Sequence, residues 1–419
     1  MPEVHQTEWK QLIENFQKSN REIILSKYLI KTITGVKPEK HYELEFHGHF
    51  QSPLTLACKY GELSILKALQ SMNILKKAMK TADAEIGVVM NKVYPQALEN
   101  YGTCYTEEFY FPCHVAAENG QLEIVKILCS TYDDDIGYLS GNNNDQNMFH
   151  FATLDYAVSG NHHDLVKHLI DEEFLHQYEC KNWNNSENIF HRAARYSDAN
   201  MLKMLLDNFD INDDYSKYHD YCAIINIACE VGKLETVKVA IDWIVEIYHP
   251  KDLNYLDQVG LDLDQVVSDF SPLHYAACYG HFKIVKYLIS KGANPDVIEE
   301  CGGTPICFAA GNGHFEIVKY LCGLMKKPHL ADDFDNNPIH FALMKGDHFR
   351  YGEKKKPLHL TKGHIEIVKF LANVFDNPNA KNEKGQTPLS LSLECDNGLE
   401  VVPFIIQKQF KDKNNYWKL

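Results

Sequence analysis

Cys113 and His114 stand side by side, a thiol and an imidazole of the kind that a cysteine hydrolase pairs as nucleophile and base. His47 with His49, and His162 with His163, offer imidazole pairs that could hold zinc. His274 and His340 are further candidates for moving a proton. The run Asp133-Asp134-Asp135 and the acidic stretch from Asp207 to Asp214 offer oxygens to a hard cation, and Gly302-Gly303 and Gly311-Asn312-Gly313 are glycine clusters that could approach phosphate. Most of these fail on spacing. Neither histidine pair has a cysteine or acidic partner at a zinc-site spacing, so both are expected to be surface features. The acidic runs lack the Asp-x-Asp-x-Asp-Gly order and closing Glu of a calcium loop, and solvated turns are expected. No Gly-Lys-Ser/Thr follows either glycine cluster, so neither is a phosphate loop. The remaining histidines and Cys113 depend on the elements that position them.

Those elements repeat. Ser271-Pro272-Leu273-His274-Tyr275-Ala276-Ala277 is echoed 33 residues later by Thr304-Pro305-Ile306-Cys307-Phe308-Ala309-Ala310, and again by Pro338-Ile339-His340-Phe341-Ala342. A fixed period in this range is the signature of stacked units, each burying its apolar face on the next. In the best unit, Thr304 is expected to cap a helix with its hydroxyl, and Pro305 sits at the first helical position, where no N–H is needed. Ile306, Ala309 and Ala310 face neighbouring helices, the alanines permitting close approach. Gly313 ends the helix in a left-handed conformation. Phe315 to Leu321 then forms a second helix, apolar at helical spacing. In the preceding unit Gly292 ends the second helix, and Gly302-Gly303 supports a hairpin-like turn before the next Thr-Pro.

The pattern resembles the ankyrin-repeat family, whose units read Thr-Pro-Leu-His-x-Ala-Ala, then Gly-His, then an Ile-Val-x-x-Leu helix. The resemblance runs from about residue 50 to residue 408 and is sharpest at Ser271–Asp296 and Thr304–Cys322. It implies an all-α solenoid of stacked helix-turn-helix repeats with hairpin-like loops and several insertions. Nine units are anchored on Ala57, Ala116, Ala157, Ala193, Ala228, Ala276, Ala309, Ala342 and Ser392. Asn161 and Ser197 hold the turn-glycine position, where Asn tolerates the left-handed conformation more readily than Ser. The resemblance also makes His274 and His340 structural residues that bond neighbouring backbone, and buries Cys113 and His114 in the stack, away from the exposed electropositive setting that a reactive thiolate needs.

The three longest anchor spacings show where the array is interrupted: 59 residues from Ala57 to Ala116, 48 from Ala228 to Ala276 and 50 from Ala342 to Ser392. The excess forms insertions at about 72–110, 250–269 and 348–360. The first includes an expected helix around Lys76 to Met90, and the second is acidic. Residues 1–48 lack the motif, and the apolar stripe of Trp9, Leu12, Ile13 and Phe16 is expected to form a helical cap over the first unit. A polar tail is expected over 409–419.

A net charge of −15 repels a phosphate backbone, so neither nucleic acid nor an anionic membrane is an expected partner. No apolar run is long enough for a membrane span. The opening residues lack the basic and apolar regions of a signal peptide. The twelve cysteines include five at small or apolar repeat positions, which reads as reduced thiol in the cytoplasm, with the nucleus as an alternative.

The expected function is a non-catalytic scaffold binding a protein of unknown identity, with no cofactor and no metal. Ankyrin arrays bind along the concave groove formed by first-helix edges and hairpin tips. By resemblance this puts Tyr60, Glu118, Arg195, Tyr196, Glu230, Tyr279, Asn312 and Lys345 on the groove edge, and Phe270, Glu300 and Phe334 at hairpins. The alternative is an adaptor recruiting substrates to a larger enzyme complex such as a ubiquitin ligase. An enzyme hidden in the insertions is disfavoured, since an excess of 26 residues in the largest is too small for a catalytic core.

Overall fold

The computed structural model describes residues 53–71, 75, 112–131, 153–171, 189–208, 216–248, 270–344 and 359–413. The expected cap (1–48), the second insertion (250–269), nearly all of the first (72–110) and most of the third (348–360) lie outside them, as do His47, His49, Asp133, Asp134, Asp135 and Lys345.

Each anchor residue lies in a helix followed by a second one. The pairs are Pro53–Tyr60 with Leu63–Ser71, Pro112–Glu118 with Leu122–Thr131, 153–159 with His163–Asp171, and Ile189–Tyr196 with Ala199–Asn208. Ser216–Val231 then pairs with Leu234–Tyr248, Pro272–Cys278 with Phe282–Ser290, Pro305–Gly311 with Phe315–Cys322, and Pro338–Met344 with Lys362–Val374. The last pair is Pro388–Glu394 with Val402–Lys413, a short 3-10 turn at Gly398–Glu400 lying between them. The final helix therefore runs past residue 408, into the stretch expected to be tail. Among the described residues no helix is long and apolar enough to cross a membrane.

Contacts divide the chain into two compact bodies, Met1–Ser197 with Asp207–Phe209, and Asp198–Leu206 with Asp210–Leu419. Both bury the same positions. In the first body Ala116, Ala117, Ala157, Ala193 and Ala194 are inaccessible, as are Val125, Leu128 and Val166 of the second helices. In the second body Ala276, Ala277, Ala309, Ala310 and Ala342 are equally closed, packed beside Val285, Leu288, Val318, Leu321, Val368 and Leu371. Each fully buried Leu or Val of this kind contributes about 1.5–3 kcal/mol. A repeat unit has no hydrophobic interior of its own, so this burial exists only in the stack.

One local expectation changes, and the two substituted turn positions divide as their side chains predict. Thr304 does not cap its helix through the hydroxyl; that group meets Cys307 Sγ at 3.4 Å, as the Ser271 and Thr361 hydroxyls meet the imidazoles of His274 and His364 three residues on. Asn161 is left-handed, with φ of 59°, but Ser197 is not. Ser197 is buried instead, and its hydroxyl donates to the Val158 carbonyl.

Candidate protein-binding surface

Histidines join neighbouring units at two heights. At the start of the first helix, His274 Nδ1 accepts from the Ser271 backbone N–H at 3.2 Å, so its Nε2 carries the proton and donates to the Gly303 carbonyl, 3.1 Å away in the next hairpin. Burial pushes the His274 imidazole down to about 4, partly offset by the Gly303 bond, so it stays neutral at physiological pH. His340 repeats the arrangement with the Asn337 N–H and the Gln386 carbonyl. In the unit anchored on Ala157, in the first body, Asp155 holds this slot. Its Oδ1 is buried with no hydrogen-bond partner, and burial raises its carboxyl to about 7 against the pull of Arg192.

The second set follows the turn. His162, His281, His314 and His364 donate through Nε2 to the carbonyls of Glu118, Glu230, Cys278 and Gly311, at 2.8–3.0 Å. Those acceptors lie near the C-terminal ends of the preceding units' first helices, where carbonyls lack intrahelical partners. Each ring also covers a glycine. A Cβ on Gly120, Gly232, Gly280 or Gly313 would meet it at 2.4–2.9 Å, and all four glycines have positive φ. His162 was expected to be a surface feature. It is a half-buried clamp between units, because its acceptor lies 44 residues away in sequence.

The same stacking closes off Cys113 and His114, which are 1% and 0% exposed. The His114 ring stacks on Tyr156 at 5.1 Å. Burial, then the neighbouring Cys129, holds the Cys113 thiol well above its usual value, so the nucleophilic form is disfavoured. Among the described residues no group of three His, Cys, Asp or Glu is disposed to hold a metal.

Three hairpins in the second body share one construction. The Glu299 N–H donates to the Gly303 carbonyl while its carboxylate accepts from the Cys301 and Gly303 N–H groups, each at 2.8 Å. Asp332 does the same for Phe334 and Asn336, and Asn382 for Gln386. Gly302, Asp335 and Gly385 supply the left-handed turn residue. Neighbouring hairpins are tied by Asp333 N–H to Cys301 O at 2.9 Å and Glu383 N–H to Phe334 O at 3.0 Å.

This frame leaves particular side chains outside. Tyr60, Tyr196 and Tyr279 are 37%, 52% and 49% exposed at first-helix ends. The Tyr279 hydroxyl lies 3.3 Å from Glu230 Oε1 and can donate to it, and the Asn312 amide reaches Cys278 Sγ at 3.4 Å. Glu230, Tyr279 and Asn312 thus form a continuous strip over three units of the second body. Glu118 and Arg195 are half-buried in the first body. Glu300 and Phe334 stand exposed at hairpin tips. Phe270, the other residue expected at a hairpin, is more enclosed. It is half-buried, with its ring edge-on to Phe308, Tyr275 and His274 at 5.1–5.8 Å. Ile298, 52% exposed beside the first of these hairpins, was not foreseen. Its position C-terminal to the repeat's Asn-Pro-Asp turn carries no local signal of exposure.

A family model described as ankyrin repeats, three copies, matches residues 113–215, 154–249, 190–299 and 273–351. Among curated relatives, the E3 ubiquitin-protein ligase hecd-1 of Caenorhabditis elegans is 36% identical over 80 residues, covering 19% of this chain and 3% of that protein. The glycerophosphocholine phosphodiesterase GDE1 of Eremothecium gossypii is 25% identical over 202 residues, 46% of this chain and 13% of that protein. The transient receptor potential cation channel subfamily A member 1 homolog of Caenorhabditis elegans is 25% identical over 193 residues, 46% of this chain and 14% of that protein. The chain therefore spans a seventh or less of each relative's length.

Proposed function

The chain belongs to the ankyrin-repeat family, and on that premise we propose that it is a non-catalytic scaffold that holds a protein partner along its first-helix edges and hairpin tips. The observation that carries this reading is the strip of Glu230, Tyr279 and Asn312, with Tyr279 half exposed at a first-helix end and its hydroxyl within reach of Glu230 in the preceding unit. Tyrosine supplies contact area and a polar end at little entropic cost, and it is enriched at interface hot spots. Hydrogen-exchange footprinting of the full chain with its captured partner tests the reading. Protection is expected around residues 230–231, 278–279 and 311–312; protection confined to the second helices would contradict it.

The likeness to a ubiquitin ligase favours a second reading, an adaptor that recruits substrates to a larger enzyme complex, although the shared stretch is 3% of that protein. Deleting residues 1–48 separates the two. An intact fold that loses its enzyme partner favours the adaptor; unfolding favours a simple cap.

A further inference from the structure

The hairpin tips of the second body spend one polar side chain each on their own turns: Glu299, Asp332 and Asn382 are buried and hydrogen-bonded to the backbone. What remains outside is of a different character. Glu300, Asp333, Asp335 and Glu383 are exposed, against the ammoniums of Lys384 and of Lys381, which holds in the third hairpin the place Ile298 has in the first. Between them stand Phe334, 43% exposed, and Ile298, 52% exposed. The backbone bonds from Asp333 to Cys301 and from Glu383 to Phe334 hold these tips side by side, so the carboxylates and the phenyl ring form one surface.

Two further observations bear on what this surface takes. The exposed Cys301 thiol sits among the tips and is held above its usual value, first by Glu299 and then by burial, Glu300, Asp333 and Asp332. The carboxylates do not converge on a point: no cluster among the described residues is disposed to hold a metal. A dispersed negative field around exposed apolar side chains complements an extended segment with distributed positive charge, not a single cation.

We infer that the tips over residues 298–301, 333–335 and 383–385 dock an extended basic peptide segment, with Lys or Arg flanking one large apolar side chain that packs on Phe334. This rests on the reading of the chain as a protein-binding scaffold and names the chemistry of its partner.

The test is a selection of random displayed peptides on the immobilised full chain at low ionic strength. Enriched peptides are then measured by fluorescence anisotropy against the wild type and three variants. These are Glu300→Gln with Asp333→Asn and Glu383→Gln, then Phe334→Ala, then Tyr279→Ala as the groove control. All five side chains are exposed, and matched circular dichroism melts establish that the folds are equal. The inference expects peptides with Lys or Arg around an apolar residue. Neutralising the three carboxylates should weaken them about tenfold, since each screened surface pair contributes little alone, and should flatten their salt dependence. Phe334→Ala should weaken them about fivefold, with no effect once the peptide's apolar residue is serine. Enriched peptides that survive the tip variants but fail on Tyr279→Ala overturn this inference and leave the scaffold reading standing. No enrichment at all overturns both.

Discussion

His274 turns the stacking of units into a pH dependence that can be worked out in advance. Its imidazole titrates near 4 in the folded chain because it is fully buried, against 6.5 when solvated. Between those values the unfolded chain takes up a proton that the folded chain refuses. The stabilisation is therefore complete above about pH 6.5 and is lost as pH falls towards 4. At about 1.4 kcal/mol for each pH unit, the whole loss comes to about 3 kcal/mol, of which about 2 is gone by pH 5. His274→Gln removes the titration while keeping an N–H that can reach the Gly303 carbonyl. At pH 7.5 the variant should be less stable by about 1 kcal/mol, the worth of an imperfectly remade hydrogen bond. At pH 5 the order should invert. The assay is native-state hydrogen exchange of the Pro305–Gly311 amides, corrected for the intrinsic rate at each pH. Subtracting variant from wild type cancels His314 and His340, whose values burial also lowers. A difference that stays constant between pH 7.5 and 5 would refute the assignment of His274 as a neutral buried clamp.

Gly280→Ala should cost at least about 2 kcal/mol in urea unfolding, because φ is +82° and the new methyl meets His314 at 2.5 Å. Gly292→Ala, at φ +100° with nothing within 4 Å, should cost only the backbone strain of about 1 kcal/mol; equal costs would mean the histidine packing is immaterial. Asp155 has the opposite pH sign to His274. Its carboxyl is raised from 3.8 to about 7, so the folded state is penalised as pH rises through that interval. The full gap is worth about 4 kcal/mol, and the partial exposure of the residue reduces the expected effect to about 2. Asp155→Asn should accordingly raise the stability of the first body by about 2 kcal/mol at pH 8 and leave it unchanged below pH 4, read by hydrogen exchange of the 153–159 amides.

The repeat unit was legible because its determinants are local. Pro305 at a helix start, Gly313 and Gly292 at helix ends and the Gly302-Gly303 turn are each set by a few neighbouring residues, and Asn161 took the left-handed role that its short amide permits. The rest has non-local causes. His162 carries no local sign of burial, because its carbonyl acceptor belongs to another unit. Ser197, as expected of a serine, stays out of the left-handed region, but its buried acceptor 39 residues back carries no local signal. Phe270 is half-buried because rings from Tyr275, His274 and the following unit's Phe308 enclose it, and the last of these lies 38 residues away. The sequence also marks, in every unit, the two residues before its turn, and Tyr60, Tyr196 and Tyr279 are exposed there. The chemistry at those positions is not marked, because a repeat leaves it free.

The scaffold reading is tested most directly by capture with the Tyr196→Ala and Tyr279→Ala double variant of the full chain. Both rings are about half exposed, so their removal should leave thermal stability unchanged. Partner recovery should fall at least about tenfold, as expected when two interface anchors are truncated. Undiminished recovery by a double variant with the wild-type melting temperature would contradict the account.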